Sequence, residues 1–159
     1  MLIRTNVENI GDPFIVFDGN RYYMYATSFD CSGFKVRVSG FRLCVATSKP
    51  EDFAVQIMEH FGLSEFFAGV FGAAMDETRT NKDEVINYAL ETLGVTQRSR
   101  VLMVGDREYD ILGAKRCGLA GCIGCLFGYG SREELTNAGA IALVAHPLEI
   151  AQLILDNKF

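Results

Sequence analysis

The sequence predicts a three-layer α/β fold on a mostly parallel sheet, a Rossmann-like core that carries an N-terminal β-hairpin and no cap domain. Three observations lead there. Short apolar runs at 43–46, 66–73, 101–104 and 121–127 alternate with segments whose apolar residues recur at helical spacing. The helical segments stop at glycines, Gly62 and Gly94. Two of the apolar runs end abruptly in polar residues, Thr47-Ser48 and Gly105-Asp106, as strands do where they open into loops at the carboxyl edge of a parallel sheet.

Each element has its own signal. Residues 14–17 and 21–26 are β-prone runs joined at Asp18-Gly19-Asn20, which predicts a hairpin. The strand at 43–46 leads through Thr47-Ser48-Lys49-Pro50 into a helix with apolar positions 53, 54, 57, 58 and 61. A strand is expected at 66–73. A helix opening near Lys82 then presents Val85, Ile86, Ala89, Leu90 and Leu93 as its core stripe. The run 101–104 is an interior strand followed by a helix that begins with Arg107-Glu108-Tyr109, and 121–127 reads as a further buried strand. Ser131-Arg132-Glu133-Glu134 fits a capping box, and Pro147 suits the first position of a terminal helix running to about Asp156. Phe53, Met58, Phe61 and Met75 are expected in the core. The change of pattern near Gly40 divides the chain into a hairpin segment, 1–40, and a core, 41–159, packing as one domain.

Composition narrows the function. A 159-residue chain can bury one good core but not two large ones. A net charge of −5 without a basic stripe argues against nucleic acid as a partner. No run of about eighteen apolar residues and no charged-then-apolar leader is visible, so a cytoplasmic protein without membrane attachment is expected. The five cysteines (31, 44, 117, 122 and 125) are an odd number, which disfavours a disulfide framework. Cys122-Ile-Gly-Cys125 invites a metal or redox reading. It lies in a strand-like run, however, with no second Cys-x-x-Cys and neither His60 nor His146 close in sequence.

The chemistry gathers at four places. Asp106, at a strand end, and Asp110, one helical turn on, are oxygen ligands suited to a hard cation such as Mg²⁺; the simpler reading is a helix cap and a solvated carboxylate. Thr47 and Ser48 offer hydroxyls and N–H groups at a strand-to-helix junction, a natural phosphate cradle, or else they only cap the helix. Lys82 opens a helix, where the macrodipole disfavours a cation. Its presence there is explained if it faces an anionic ligand or carboxylates.

Val-Ala-Thr-Ser-Lys-Pro (45–50), Thr-Asn-Lys-Asp-Glu-Val-Ile (80–86), Met-Val-Gly-Asp-Arg-Glu-Tyr-Asp-Ile-Leu-Gly-Ala-Lys (103–115) and Gly-Tyr-Gly-Ser-Arg-Glu-Glu-Leu (128–135) together resemble the haloacid dehalogenase-like phosphatases, in particular their phosphoglycolate phosphatase branch, over about residues 42–157. The resemblance implies a Mg²⁺-dependent hydrolase of a small phosphorylated metabolite. It implies phosphate binding by Thr47 and Ser48, stabilisation of the transferring phosphoryl group by Lys82, and Mg²⁺ on Asp106 and Asp110. The family's nucleophile, first Asp of an Asp-x-Asp-Gly-Thr segment, has no counterpart. The nearest is Asp18, with Asn20 where the second Asp belongs. Only 28 residues separate Asp18 from Thr47, too few for the branch's helical cap. Residues 9–36 resemble instead the first blade of the five-bladed propeller arabinanases and xylosidases, with Asp12 in the place of their general base. Weak phosphatase activity is therefore expected, with a non-catalytic phosphate- or metal-binding remnant and a carbohydrate-active fragment as the alternatives.

Overall fold

The structure, a computed structural model, describes residues 2–3, 6–7, 12–17, 22–27, 31–32, 35–36 and 42–156. Seven strands form the main sheet: β1 (Asp12–Phe17), β2 (Tyr22–Thr27), β3 (Arg42–Pro50), β4 (Gly69–Ala73), β5 (Val101–Gly105), β6 (Gly121–Cys125) and β7 (Ala142–Val144), in the spatial order β7-β6-β5-β1-β2-β3-β4. Neighbouring strands pair in parallel throughout β7-β6-β5 and β2-β3-β4. The exception is β1, which forms the expected hairpin with β2 and runs antiparallel to β3 and β5 as well. Short two-residue pairings join Leu2–Ile3 to Lys35–Val36 and Asn6–Val7 to Cys31–Ser32.

Alternation along the strands makes the three layers. On one face Cys44 and Ala46 of β3, Val101 and Met103 of β5 and Cys122 of β6 meet Val85, Ile86, Ala89 and Leu90 of α2 (Lys82–Thr92), Ile111 and Ala114 of α3 (Glu108–Arg116) and Leu135 of α4 (Arg132–Ala138). On the other face Leu102, Val104, Ile123 and Val144 meet Ile150 and Ile154 of α5 (Pro147–Leu155). There too, Val45 packs on Met58 of α1 (Glu51–His60). A period of two on the strands and 3.6 on the helices is what lets a single sheet bury both faces.

Helix stops fall where glycine permits a left-handed turn: Gly62 has φ +61° and Gly94 φ +67°. Several boundaries differ from expectation. Residues Ser64–Phe66 make a short 3-10 turn instead of opening β4. The strand β7 carries no signal of its own, because three residues are too few to show alternation. Phe53 and Met75 are exposed, whereas Met58 is buried and Phe61 packs against its cluster. Helical spacing marks position 53, but it lies on the outer edge of the apolar stripe of α1. The hairpin's Asp18 lies outside the described residues.

Candidate functional site

Four side chains are the buried polar and charged groups of the described region, and they are Thr47, Lys82, Asp106 and Asp110. All lie at the carboxyl edge of the parallel strands. Thr47 is the last residue of the buried stretch of β3, Asp106 follows the last residue of β5, and Lys82 and Asp110 stand in the first turns of α2 and α3. The contacts link them directly. Lys82 Nζ lies 3.0 Å from Asp110 Oδ1 and donates to the carbonyl oxygen of Ala46 at 3.3 Å, one residue before Thr47. Asp110 Oδ2 accepts the N–H groups of Asp106 and Arg107, each at 3.1 Å.

This arrangement answers the electrostatic question raised by Lys82. Its ammonium turns away from the exposed start of α2 and is neutralised by a buried carboxylate. The helix end itself is served by Glu84, whose Oε2 accepts the N–H groups of Asn81 and Thr80, each at 2.8 Å. Those bonds, Asn81 first, hold the Glu84 carboxyl below its usual range.

Thr47 does not cap α1. The helix starts after Pro50 with no side-chain cap, and Thr47 Oγ1 instead accepts the Lys49 N–H at 3.0 Å. The first turn of α1 is held from elsewhere, through Glu51 Oε2, which accepts Gly72 N–H at 2.9 Å and pairs with Arg79 at 3.1 Å. Arg79 also lies over the Tyr88 ring, 3.6 Å from its centre.

Asp106 is fixed by a loop inside the 128–135 segment, whose contact with Asp106 the sequence does not announce. Tyr129 N–H donates to Asp106 Oδ2 at 2.8 Å, and Gly130 N–H donates to the Asp106 main-chain oxygen at 2.9 Å. Arg107, beside it, pairs with Glu134 at 2.8 Å, and the same Glu134 oxygen accepts Glu108 N–H at 3.0 Å. The Arg107 bond and then the Glu108 N–H keep the Glu134 carboxyl below its usual range. Glu134 therefore does more than the capping box expected of it; Ser131 Oγ does accept its N–H, at 3.0 Å, as expected. The available signal was Gly-x-Gly at 128–130, spacing that marks close backbone approach rather than a turn.

No three His, Cys, Asp or Glu side chains converge on one point among the described residues. A cation at this edge would take Asp106 and complete its shell from water and ligand oxygens, a pattern within the habits of Mg²⁺. Asp110 spends one oxygen on Lys82 and the other on two N–H groups. Cys122 and Cys125, candidates for metal or redox chemistry, are buried in β6, and burial raises the Cys122 thiol well above its usual value.

A three-layer, mostly parallel sheet with a lysine, a threonine and two aspartates at its carboxyl edge defines an α/β protein of the Rossmann-like class. The family model for haloacid dehalogenase-like hydrolases matches residues 35–118, more than half of the chain, and the chain belongs to that family. Among curated relatives, it is 46% identical over 96 residues to a 5'-nucleotidase of Pseudomonas aeruginosa, covering 60% of this chain and 42% of that protein. It is 33% identical over 135 residues to a phosphoglycolate phosphatase of Vibrio parahaemolyticus, covering 84% and 58%. Among solved structures it resembles a predicted phosphatase from Clostridium acetobutylicum, with TM-score 0.68, 43% identity, and 71% and 51% of the two chains covered. The matched region thus spans about two-fifths to three-fifths of these relatives' own lengths. The propeller resemblance of residues 9–36 is not shown by these relatives.

Proposed function

We propose that this chain carries the phosphate- and cation-binding part of a Mg²⁺-dependent phosphate monoester hydrolase site acting on a small phosphorylated metabolite. The observation that supports it most is the buried Lys82–Asp110 pair joined to Asp106 and to the carbonyl before Thr47. An ion pair of this kind is costly to desolvate and is weak evidence for stability. Its position at the sheet's carboxyl edge is better explained by an anion that Lys82 meets there.

In this reading Thr47 and Ser48 bind phosphoryl oxygens through hydroxyl and N–H groups, and Lys82 offsets the charge that builds up on them. Asp106 holds Mg²⁺, which when bound neutralises phosphate charge and orients the ester. Asp110, assigned beside Asp106 as a metal ligand by resemblance, acts through its contacts: it fixes the Lys82 ammonium and the turn from β5 into α3. The Lys82 side chain, held 3.0 Å from that carboxylate, gives the site one firmly placed cation.

The attacking oxygen is the open part of the mechanism. Asp18 is the sequence's candidate. The sheet register adds another: Ile15 pairs with Met103 and Phe14 with Val45, both antiparallel. Carried along β1, this sets the backbone of Asp12 level with Asp106 and Thr47, and that of Phe17 level with Val101 at the far end. A carboxylate nucleophile splits the transfer into two easier steps, and without one the site binds but scarcely turns over.

Calorimetry with Mg²⁺ and inorganic phosphate tests the reading. Binding of both by the natural chain is expected, with Mg²⁺ lost in Asp106→Asn and phosphate lost in Lys82→Ala. Undiminished binding in both variants overturns it.

A further inference from the structure

We propose that the Gly128-Tyr129-Gly130 loop between β6 and α4 is the positioning element of the Asp106 carboxylate and sets the affinity of this edge for a hard divalent cation. The proposal rests on the reading of Asp106 as the cation's ligand. Its own ground is the geometry of the loop.

The loop grips one residue twice. Tyr129 N–H holds a carboxylate oxygen of Asp106, and Gly130 N–H holds the main-chain oxygen of the same residue. Both glycines are required by proximity. A Cβ on Gly128 would run into the Cβ and carboxylate of Asp106, and one on Gly130 into the Asp106 carbonyl oxygen. Neither glycine is among the residues with positive φ, so conformational freedom is not the reason for them. The grip continues along the chain. Ser131 caps α4, and Glu134, on the first turn of that helix, holds the Arg107 guanidinium and the Glu108 N–H. One segment, 128–134, thus contacts three consecutive residues that follow β5.

A loop that only closed the fold would not need to approach a single aspartate so closely that a Cβ is excluded at two positions, and to donate to its carboxylate. A carboxylate oriented in advance by a donor gives up its rotamer freedom during folding rather than on binding, which favours the bound state. Groups that orient a metal ligand commonly change affinity 10–100-fold when lost.

Two measurements test this. The first is Mg²⁺ calorimetry on Gly128→Ala, Asp106→Asn and the double variant, with circular dichroism and a thermal melt on each. The expected result is roughly 10–100-fold weaker Mg²⁺ binding in Gly128→Ala and no further loss of Mg²⁺ binding when it is added to Asp106→Asn. The second needs no variant: in a ¹H–¹⁵N titration of the natural chain with Mg²⁺, the Tyr129 and Gly130 amides should shift with the same midpoint as Asp106, and the amide of Gly139, at the far end of α4, should not. Unshifted Tyr129 and Gly130 amides beside a shifting Asp106 overturn the proposal, as does a folded Gly128→Ala that binds Mg²⁺ as tightly as the natural chain. If Asp106→Asn keeps full affinity, the reading of Asp106 itself falls, and that outcome is separately visible.

Discussion

At the scale of single residues, the two aspartates four positions apart have different work, and mutation should separate them. Asp110 is the counter-ion of a buried ammonium and the acceptor for two N–H groups. Asp110→Asn leaves the Lys82 charge without its partner in a water-poor site, and we expect a loss of about 3–5 kcal/mol in urea unfolding, as when one partner of a buried pair is removed. Asp106→Asn keeps an oxygen for the Tyr129 N–H, so its unfolding midpoint should move far less while Mg²⁺ binding is lost. Equal destabilisation by the two changes would contradict this division. The sequence showed both aspartates and Lys82, because Gly-Asp after an apolar run and a lysine opening a helix are each unusual. It could not show that Asp110 faces Lys82, since that contact spans two helices with β5 between them in the chain.

Elements were legible in proportion to their length and regularity. The stripe of α2, the glycine stops after α1 and α2, and Pro147 at the start of α5 could all be read from spacing alone. The three-residue β7 and the turn at Ser64–Phe66 could not, because tertiary pairing rather than local pattern defines them. The N-terminal end of α2 carries a pH prediction. Glu84 has its carboxyl lowered in the folded state, so the stability it adds is fully present above the unfolded value near 4.5 and is lost as pH falls through the lowered one. Glu84→Gln should therefore be less stable than the natural chain at pH 7, and the gap between their urea midpoints should narrow by pH 3.5. A gap that widened with acid would reverse the sign. Where α3 crosses α2, Gly113 admits the Lys82 side chain: an added Cβ there would lie 2.7 Å from Lys82 Cγ. Gly113→Ala should accordingly fail to deliver the gain of about 1 kcal/mol usual for such a change inside a helix, and should weaken phosphate binding by displacing Lys82. Thermal melts and phosphate titration check the two effects.

For the whole molecule, the sheet decides how much catalysis is possible. If neither Asp12 nor Asp18 attacks, the proposed phosphate site forgoes the covalent contribution, and turnover of an activated aryl phosphate should be slow and unselective. Any hydrolysis that occurs should fall more with Asp12→Asn than with Asp18→Asn, because β1 runs antiparallel to its neighbours and its first residue is the one level with Thr47 and Asp106. Brisk turnover of one preferred ester, abolished by Asp18→Asn, would reverse that ranking. Among the described residues no helix is long and apolar enough to cross a membrane. The interior has one more consequence. Cys44, Cys117, Cys122 and Cys125 are all buried and unbridged, and burial pushes the Cys44 thiol up to about 12 and that of Cys117 to about 11. Thiolate is the reactive form, so in the closed molecule these sulfurs are chemically silent. They sit on β3, on β6 and at the end of α3, and each becomes modifiable only when its own neighbourhood opens. The chain thus carries four built-in clocks, and the order in which a thiol reagent marks them would give the order in which the core comes apart.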